Sequence, residues 1–181
     1  MEKFIEIFDD ILPSSLEDSI EHFVLKSNIV KWDFNSNVSG VSNNQIYGFQ
    51  NIFFSKFDNI IIEHLFSPLF QVLYSLPLKI PISILEILQA RLFLQTPSPT
   101  PGVQKSAIHT DLIDFPHWVC LYYINDSDGD TIFYNDNLEE IKRVSPKKGK
   151  IVFFDGSIKH TGSIPKTLRA NINFNFIGNK L

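Results

Sequence analysis

Apolar residues recur in two different rhythms along the chain. In the first, Leu16, Ile20, Phe23 and Val24 fall three or four positions apart, which predicts a helix over residues 15–26. Ser14 and Glu17 precede it at the spacing of a capping box, where a hydroxyl and a carboxylate each satisfy a free backbone N–H. Apolar positions 61, 62, 65, 66, 69, 70, 73 and 74 predict a second amphipathic helix over 60–76, kinked near Pro68. Short strands are expected within residues 1–11 and at 30–34.

After Pro81 the rhythm changes. Residues 82–95 are rich in apolar side chains and are expected to end in a strand at 91–94. Ser98-Pro99-Thr100-Pro101-Gly102 marks a loop. Short strands then follow at 107–111, 118–125, 131–134, 141–144, 151–154 and 169–177, with turn residues such as Asp126-Ser127-Asp128-Gly129 between them. Regular short strands point to an antiparallel sandwich or barrel. The expected fold is mainly β with N-terminal helices (α+β). It is one domain over 1–181, with 1–80 as helical support and 81–181 forming most of a jelly roll.

Composition narrows the class. Hydrophobic residues make up 44% and charged residues 20%, as in a water-soluble globular protein. No apolar run nears the roughly 20 residues of a membrane helix, so no membrane partner is expected. Acids interrupt the N-terminal apolar residues, which does not fit a signal peptide. The single cysteine, Cys120, allows no intramolecular disulfide, and a reducing cytoplasm is the expected location. A net charge of −4 disfavours a nucleic-acid partner. There is no phosphate-binding glycine loop, no serine nucleophile elbow and no Cys-x-x-Cys.

Candidate chemistry begins at His109-Thr110-Asp111. In a strand, positions i and i+2 share a face, so His109 and Asp111 can aim at one point. On its own the tripeptide is better explained by a surface pair. His160 adds a second imidazole after the apolar strand at 151–154 and a tight turn. Two histidines and a carboxylate on one face of an octahedral ion make the facial triad of non-haem Fe(II) oxygenases, which leaves positions open for reactants. Nine residues beyond His160, Arg169 opens the last apolar strand. His117 reads as a substrate-entrance residue, His22 and His64 as structural, and Cys120 as a small buried hydrophobe.

These pieces, in this order, resemble the Fe(II)/2-oxoglutarate-dependent dioxygenases, and within them the prolyl-hydroxylase branch, over about residues 92–177. The family pattern is His-x-Asp, a distal His, then Arg or Lys about ten residues on. Tyr122-Tyr123-Ile124-Asn125 resembles its strand after the proximal ligands, Gly129-Asp130-Thr131-Ile132-Phe133 its Gly-Gly-x-Thr-x-Phe turn, and Gly149-Lys150-Ile151-Val152-Phe153-Phe154 the strand leading to the distal His. Asp128 replaces the first glycine of that turn, and the loop at 98–102 has Thr100 and no tyrosine.

The resemblance implies a double-stranded β-helix with Fe(II) on His109, Asp111 and His160. It implies 2-oxoglutarate held by Arg169 with Tyr123 and Thr131, O2 as oxidant, and ascorbate as an optional addition. The reaction would be hydroxylation of a peptide, protein or small-molecule substrate. Asp111 argues against halogenation, which needs that ligand position vacant. The competing class is a cupin-like metal-binding or degenerate binding module, for which a clamp such as Arg169 with Tyr123 has no use.

Overall fold

The computed structural model describes residues 4–36, 47–60, 64–97, 105–113 and 115–180. Its strands are β1 (Ile5–Phe8), β2 (Asp33–Asn35), β3 (Gly48–Ser55), β4 (Ile82–Gln95), β5 (Trp118–Tyr123), β6 (Thr131–Tyr134), β7 (Glu140–Val144), β8 (Ile151–Asp155), β9 (Lys159–Gly162) and β10 (Arg169–Lys180). The helices are α1 (Ser14–Leu25) and α2 (Phe70–Tyr74). Seven strands form one antiparallel sheet in the order β1-β8-β5-β10-β4-β3-β2, and three form a second in the order β7-β6-β9. Isolated bridges Lys105–Ser163 and His109–His160 lay the segment before Asp111 along the free edge of β9.

Strand alternation sorts the core into two layers. Ala170, Ile172, Phe174 and Phe176 of β10, with Cys120 and Tyr122 of β5 and Phe153 of β8, face the helical side. There they meet Ile20 and Val24 of α1, and Phe66, Leu69, Phe70, Leu73 and Leu76. The opposite face carries Val119, Leu121, Tyr123, Val152 and Phe154, which pack between the sheets on Phe133, Val144 and Ile158. On β10 that inner face carries Arg169, Asn171, Asn173 and Asn175, all buried. An apolar layer therefore ends in a polar one, and the site lies there.

Several expectations are corrected. The capping box does not form: the residue before α1 is Pro13, whose carbonyl accepts from the N–H groups of Leu16 and Glu17, and no side chain caps the helix. The 60–76 helix is broken into a 3-10 turn at His64–Leu69, then α2, then a second 3-10 turn at Leu76–Leu78, while residues 61–63 lie outside the described residues. Pro68 and Pro77 each lack a backbone N–H, so neither can extend an α-helical ladder. The apolar spacing still serves burial, because Phe66, Leu69, Phe70, Leu73 and Leu76 all point inward.

Strand β3 lies in a stretch that carried no expectation, and β4 is a strand along its whole length. The expected strand at 107–111 reduces to a single bridge at His109. His160 sits inside a strand of its own, β9, and not at the end of the preceding one. Among the described residues no helix is long and apolar enough to cross a membrane.

Candidate active site

His109 and His160 are cross-strand partners. Each backbone N–H donates to the other's carbonyl at 2.9 Å, and the rings lie 4.7 Å apart. Each Nδ1 also approaches the carbonyl two residues before it, Ala107 at 3.0 Å and Ile158 at 3.1 Å. A carbonyl only accepts, so Nδ1 carries the hydrogen and Nε2 keeps a free lone pair, as metal-binding histidines require. The His160 ring is wedged between Phe133 and Phe154. Burial and, after it, the neighbouring His109 outweigh the pull of Asp111 and push His160 down to about 4, so it is neutral near pH 7.

Asp111 completes the group, and one ligand atom from each of the three residues lies within 4.8 Å of the others. Its carboxylate is held from both sides: Arg91 Nη2 donates to Oδ1 at 2.9 Å and Asn173 Nδ2 to Oδ2 at 3.0 Å. Burial alone would raise its pKa. The Arg91 guanidinium, the two imidazoles and the Asn173 amide overcome that and hold it well below the usual carboxylate range. An ionised carboxylate and two imidazoles with free Nε2 lone pairs, each fixed by a second partner, form a donor set that fits a divalent transition metal.

A guanidinium faces this group across a cavity of about 350 Å³ whose wall includes His109, Asp111, His160, Thr131 and Arg169. Arg169 is buried; Nη1 donates to Gln95 Oε1 at 3.0 Å, Nη2 donates to Thr131 Oγ1 at 2.7 Å, and Nε has no partner. Among the described residues no carboxylate lies within 4.0 Å of it. The approach depends on two glycines. A Cβ at Gly162 would stand 2.5 Å from Arg169 Nη1, and one at Gly129 3.1 Å from its Cδ. Asp128 accepts from the Lys166 N–H at 2.9 Å and so shapes the turn that delivers Arg169.

Thr131 is the hub at this end. Its Oγ1 accepts from both Arg169 and the Tyr123 hydroxyl, the latter at 2.7 Å. With its acceptor capacity used twice, its own O–H is left to donate. Tyr123 is fully buried behind Thr131 and is absent from the cavity wall, so its influence passes through that hydroxyl. His117 takes no part: its ring is buried against Gly156, its Nδ1 lies 2.6 Å from the Phe115 carbonyl, and it lines a different cavity. His22 and His64 are exposed and Cys120 is buried. Thr100 lies outside the described residues.

Sequence reasoning missed Arg91, Gln95, Asn171 and Asn173, all of which line the cavity. Two patterns point to them: the every-second-residue run of Arg169, Asn171, Asn173 and Asn175, and an arginine inside the apolar strand β4.

No protein-family model matches this chain, and no curated protein matches it. Solved structures do. A prolyl hydroxylase from Trichoplax adhaerens, in complex with a hypoxia inducible factor peptide fragment, superposes with a TM-score of 0.69 at 14% identity, covering 96% of this chain and 83% of that one. A 2OG-Fe(II) oxygenase family protein from Burkholderia pseudomallei gives 0.73 at 7% identity, covering 95% and 84%. The non-haem alpha-ketoglutarate-dependent epimerase SnoN of nogalamycin biosynthesis gives 0.65 at 10% identity, covering 97% and 78%. The chain has the jelly-roll fold of the 2-oxoglutarate–Fe(II) oxygenases.

Proposed function

We propose that this protein is an Fe(II)- and 2-oxoglutarate-dependent oxygenase that hydroxylates a substrate C–H bond, in the manner of the prolyl hydroxylases. One observation carries the reading: a buried guanidinium with no acidic partner among the described residues shares a cavity with a His-Asp-His group. Burying an unpaired charge is costly, and such groups normally mark a binding function. A dicarboxylate that can reach a metal at one end and a guanidinium at the other answers both features. A plain metal-binding cupin answers only the first.

His109, Asp111 and His160 would hold the ion. Bound iron, with 2-oxoglutarate and O2, supplies the oxidising chemistry, which releases succinate and CO2 and transfers one oxygen atom to the substrate. The remaining work belongs to the chain. Arg169 binds the far carboxylate of 2-oxoglutarate through its Nη groups, and Thr131 adds an O–H donor. Arg91 and Asn173 fix the Asp111 carboxylate from either side. Val119, Leu121, Val152 and Phe154 form the apolar layer beneath the site and keep bulk water from it. A peptide and a small molecule are both candidate substrate classes. The Trichoplax relative was solved with a peptide fragment and SnoN acts in nogalamycin biosynthesis.

The test is anaerobic. Fe(II) with 2-oxoglutarate should give a weak visible charge-transfer band that His109→Ala and His160→Ala both abolish. An unchanged band in both variants would remove the triad from the reading. A melting temperature that 2-oxoglutarate raises without metal would favour a binding module.

A further inference from the structure

Arg91 is the charged group on the cavity wall that the cosubstrate does not account for. It lies on β4 beside Phe93, with its guanidinium carbon 4.9 Å from the centre of that ring. One of its five N–H donors bonds Asp111 Oδ1; Nε is buried and finds no partner among the described residues. Its partner is thus a residue assigned to the metal. Among the described residues the other charged wall residues are Arg169 and Asp111.

From these we infer that Arg91 and Phe93 form the substrate subsite, and that the substrate is a small free carboxylic acid, its carboxylate on Arg91 and its apolar part on the Phe93 ring. The inference rests on the oxygenase reading and names its substrate. With a divalent ion on the triad, the two guanidinia, the ion and Asp111 leave the wall three positive charges in excess. Dianionic 2-oxoglutarate cancels two of them. The third remains near Arg91, because the metal now draws on the charge of Asp111. A neutral peptidyl segment would leave that charge uncompensated in a partly desolvated site, whereas a carboxylate matches the planar fork of donors. Size agrees: about 350 Å³ stands at the small end of ligand cavities and must also hold the cosubstrate.

The experiment is calorimetric titration under anaerobic conditions of protein loaded with Mn(II) and 2-oxoglutarate. The probes are the N-acetyl-L-amino acids, their primary amides, and an end-blocked proline-containing peptide. At least one free acid should bind about tenfold or more tightly than its amide, the ratio expected for one charge-assisted contact. Arg91→Gln should bring that ratio close to one, and Arg91→Lys should retain part of it. The ratio is compared at equal Mn(II) occupancy, set by titrating the metal into each variant first. An acid-to-amide preference that survives Arg91→Gln overturns the inference, as does equal binding of acid and amide by the parent. Binding of the blocked peptide with none of the acids points to a peptide substrate and also overturns it. If 2-oxoglutarate binds the Mn(II)-loaded parent and no acid follows, only this inference falls. If 2-oxoglutarate does not bind at all, the oxygenase reading falls and takes the inference with it.

Discussion

Replacing Arg169 by Met should move ligand affinity and ligand-free stability by very different amounts. In the ligand-free protein Arg169 is a buried charge with hydrogen bonds to Gln95 and Thr131 and no counter-ion within 4.0 Å among the described residues. Removing it relieves a desolvation penalty of several kcal/mol per buried ion. It also forfeits two hydrogen bonds to a charged group, about 1.5–3 kcal/mol each. These terms oppose each other, so the metal-free variant should unfold within about 2 kcal/mol of the parent in urea. With 2-oxoglutarate bound, a buried carboxylate would lose its partner, at a cost of about 2–5 kcal/mol. Titration of 2-oxoglutarate into Mn(II)-loaded protein should then show affinity falling by about two orders of magnitude or more. The thermal stabilisation that saturating 2-oxoglutarate gives the parent, about 2.7 kcal/mol at a hundredfold excess over Kd, should vanish in the variant. Mn(II) affinity without cosubstrate should hardly change, since Arg169 is no ligand. Unaltered 2-oxoglutarate affinity would refute the clamp. A stability loss beyond about 4 kcal/mol would show that the guanidinium is structural, because the two opposing terms leave no room for it.

Two further outcomes follow from the hydrogen bonds and titrations. Thr131→Val removes the hydroxyl that meets Arg169 directly and should weaken 2-oxoglutarate by about tenfold or more, whereas Tyr123→Phe acts through Thr131 and should cost less; the same titration ranks them, and a larger effect for Tyr123→Phe would contradict the relay. Metal-free stability should fall between pH 6.5 and 4.5: His160 has a folded pKa of about 4 against an ordinary 6.5, so the unfolded chain binds the extra proton and stability rises with pH, by at most about 3 kcal/mol across that window. Asp111, depressed below its ordinary 3.8, stays ionised in the folded state throughout the window and adds only a small contribution of the same sign at its acid end. Urea unfolding at stepped pH should lose most of this slope in His160→Gln, and a slope that persists would place the titrating group elsewhere.

What was legible in the sequence follows from which interactions are local. The strands from Trp118 onward show alternating apolar residues between turn residues, and both features act within a few positions of each other. Arg169 stood out because a charged side chain opening an apolar strand has few structural uses, and His109 with Asp111 because His160 and Arg169 follow them in a fixed order and spacing. The helix at 60–76 was misjudged because its apolar spacing serves burial in any compact turn, while Pro68 and Pro77 decide which turn forms. Strand β3 was invisible because its residues pair with β4 far away in sequence, and Gly48, Gln50 and Asn51 blur the alternation. Arg91 and Asn173 were missed for a related reason. Each gains its role only when β4 and β10 lie side by side, with Asn173 directly opposite Arg91 in the register and both reaching Asp111.

That register links fold and chemistry more tightly than the triad does. Along β10, one face buries Ala170, Ile172, Phe174 and Phe176 against the helical layer while the other presents a guanidinium and three carboxamides. Slipping the strand by one residue would exchange the two faces, placing Phe174 in the cavity and Asn173 in the apolar core. The hydrophobic layer therefore selects the register, and the register places the polar row. Among the described residues, Arg169 Nε, Arg91 Nε and the side-chain oxygens of Asn171 and Asn173 find no hydrogen-bond partner on that inner face. Each such group costs about 1–3 kcal/mol until something pairs with it. The core thus holds in place a set of polar groups that disfavour the empty state, so ligands that meet them should stabilise the fold as they bind.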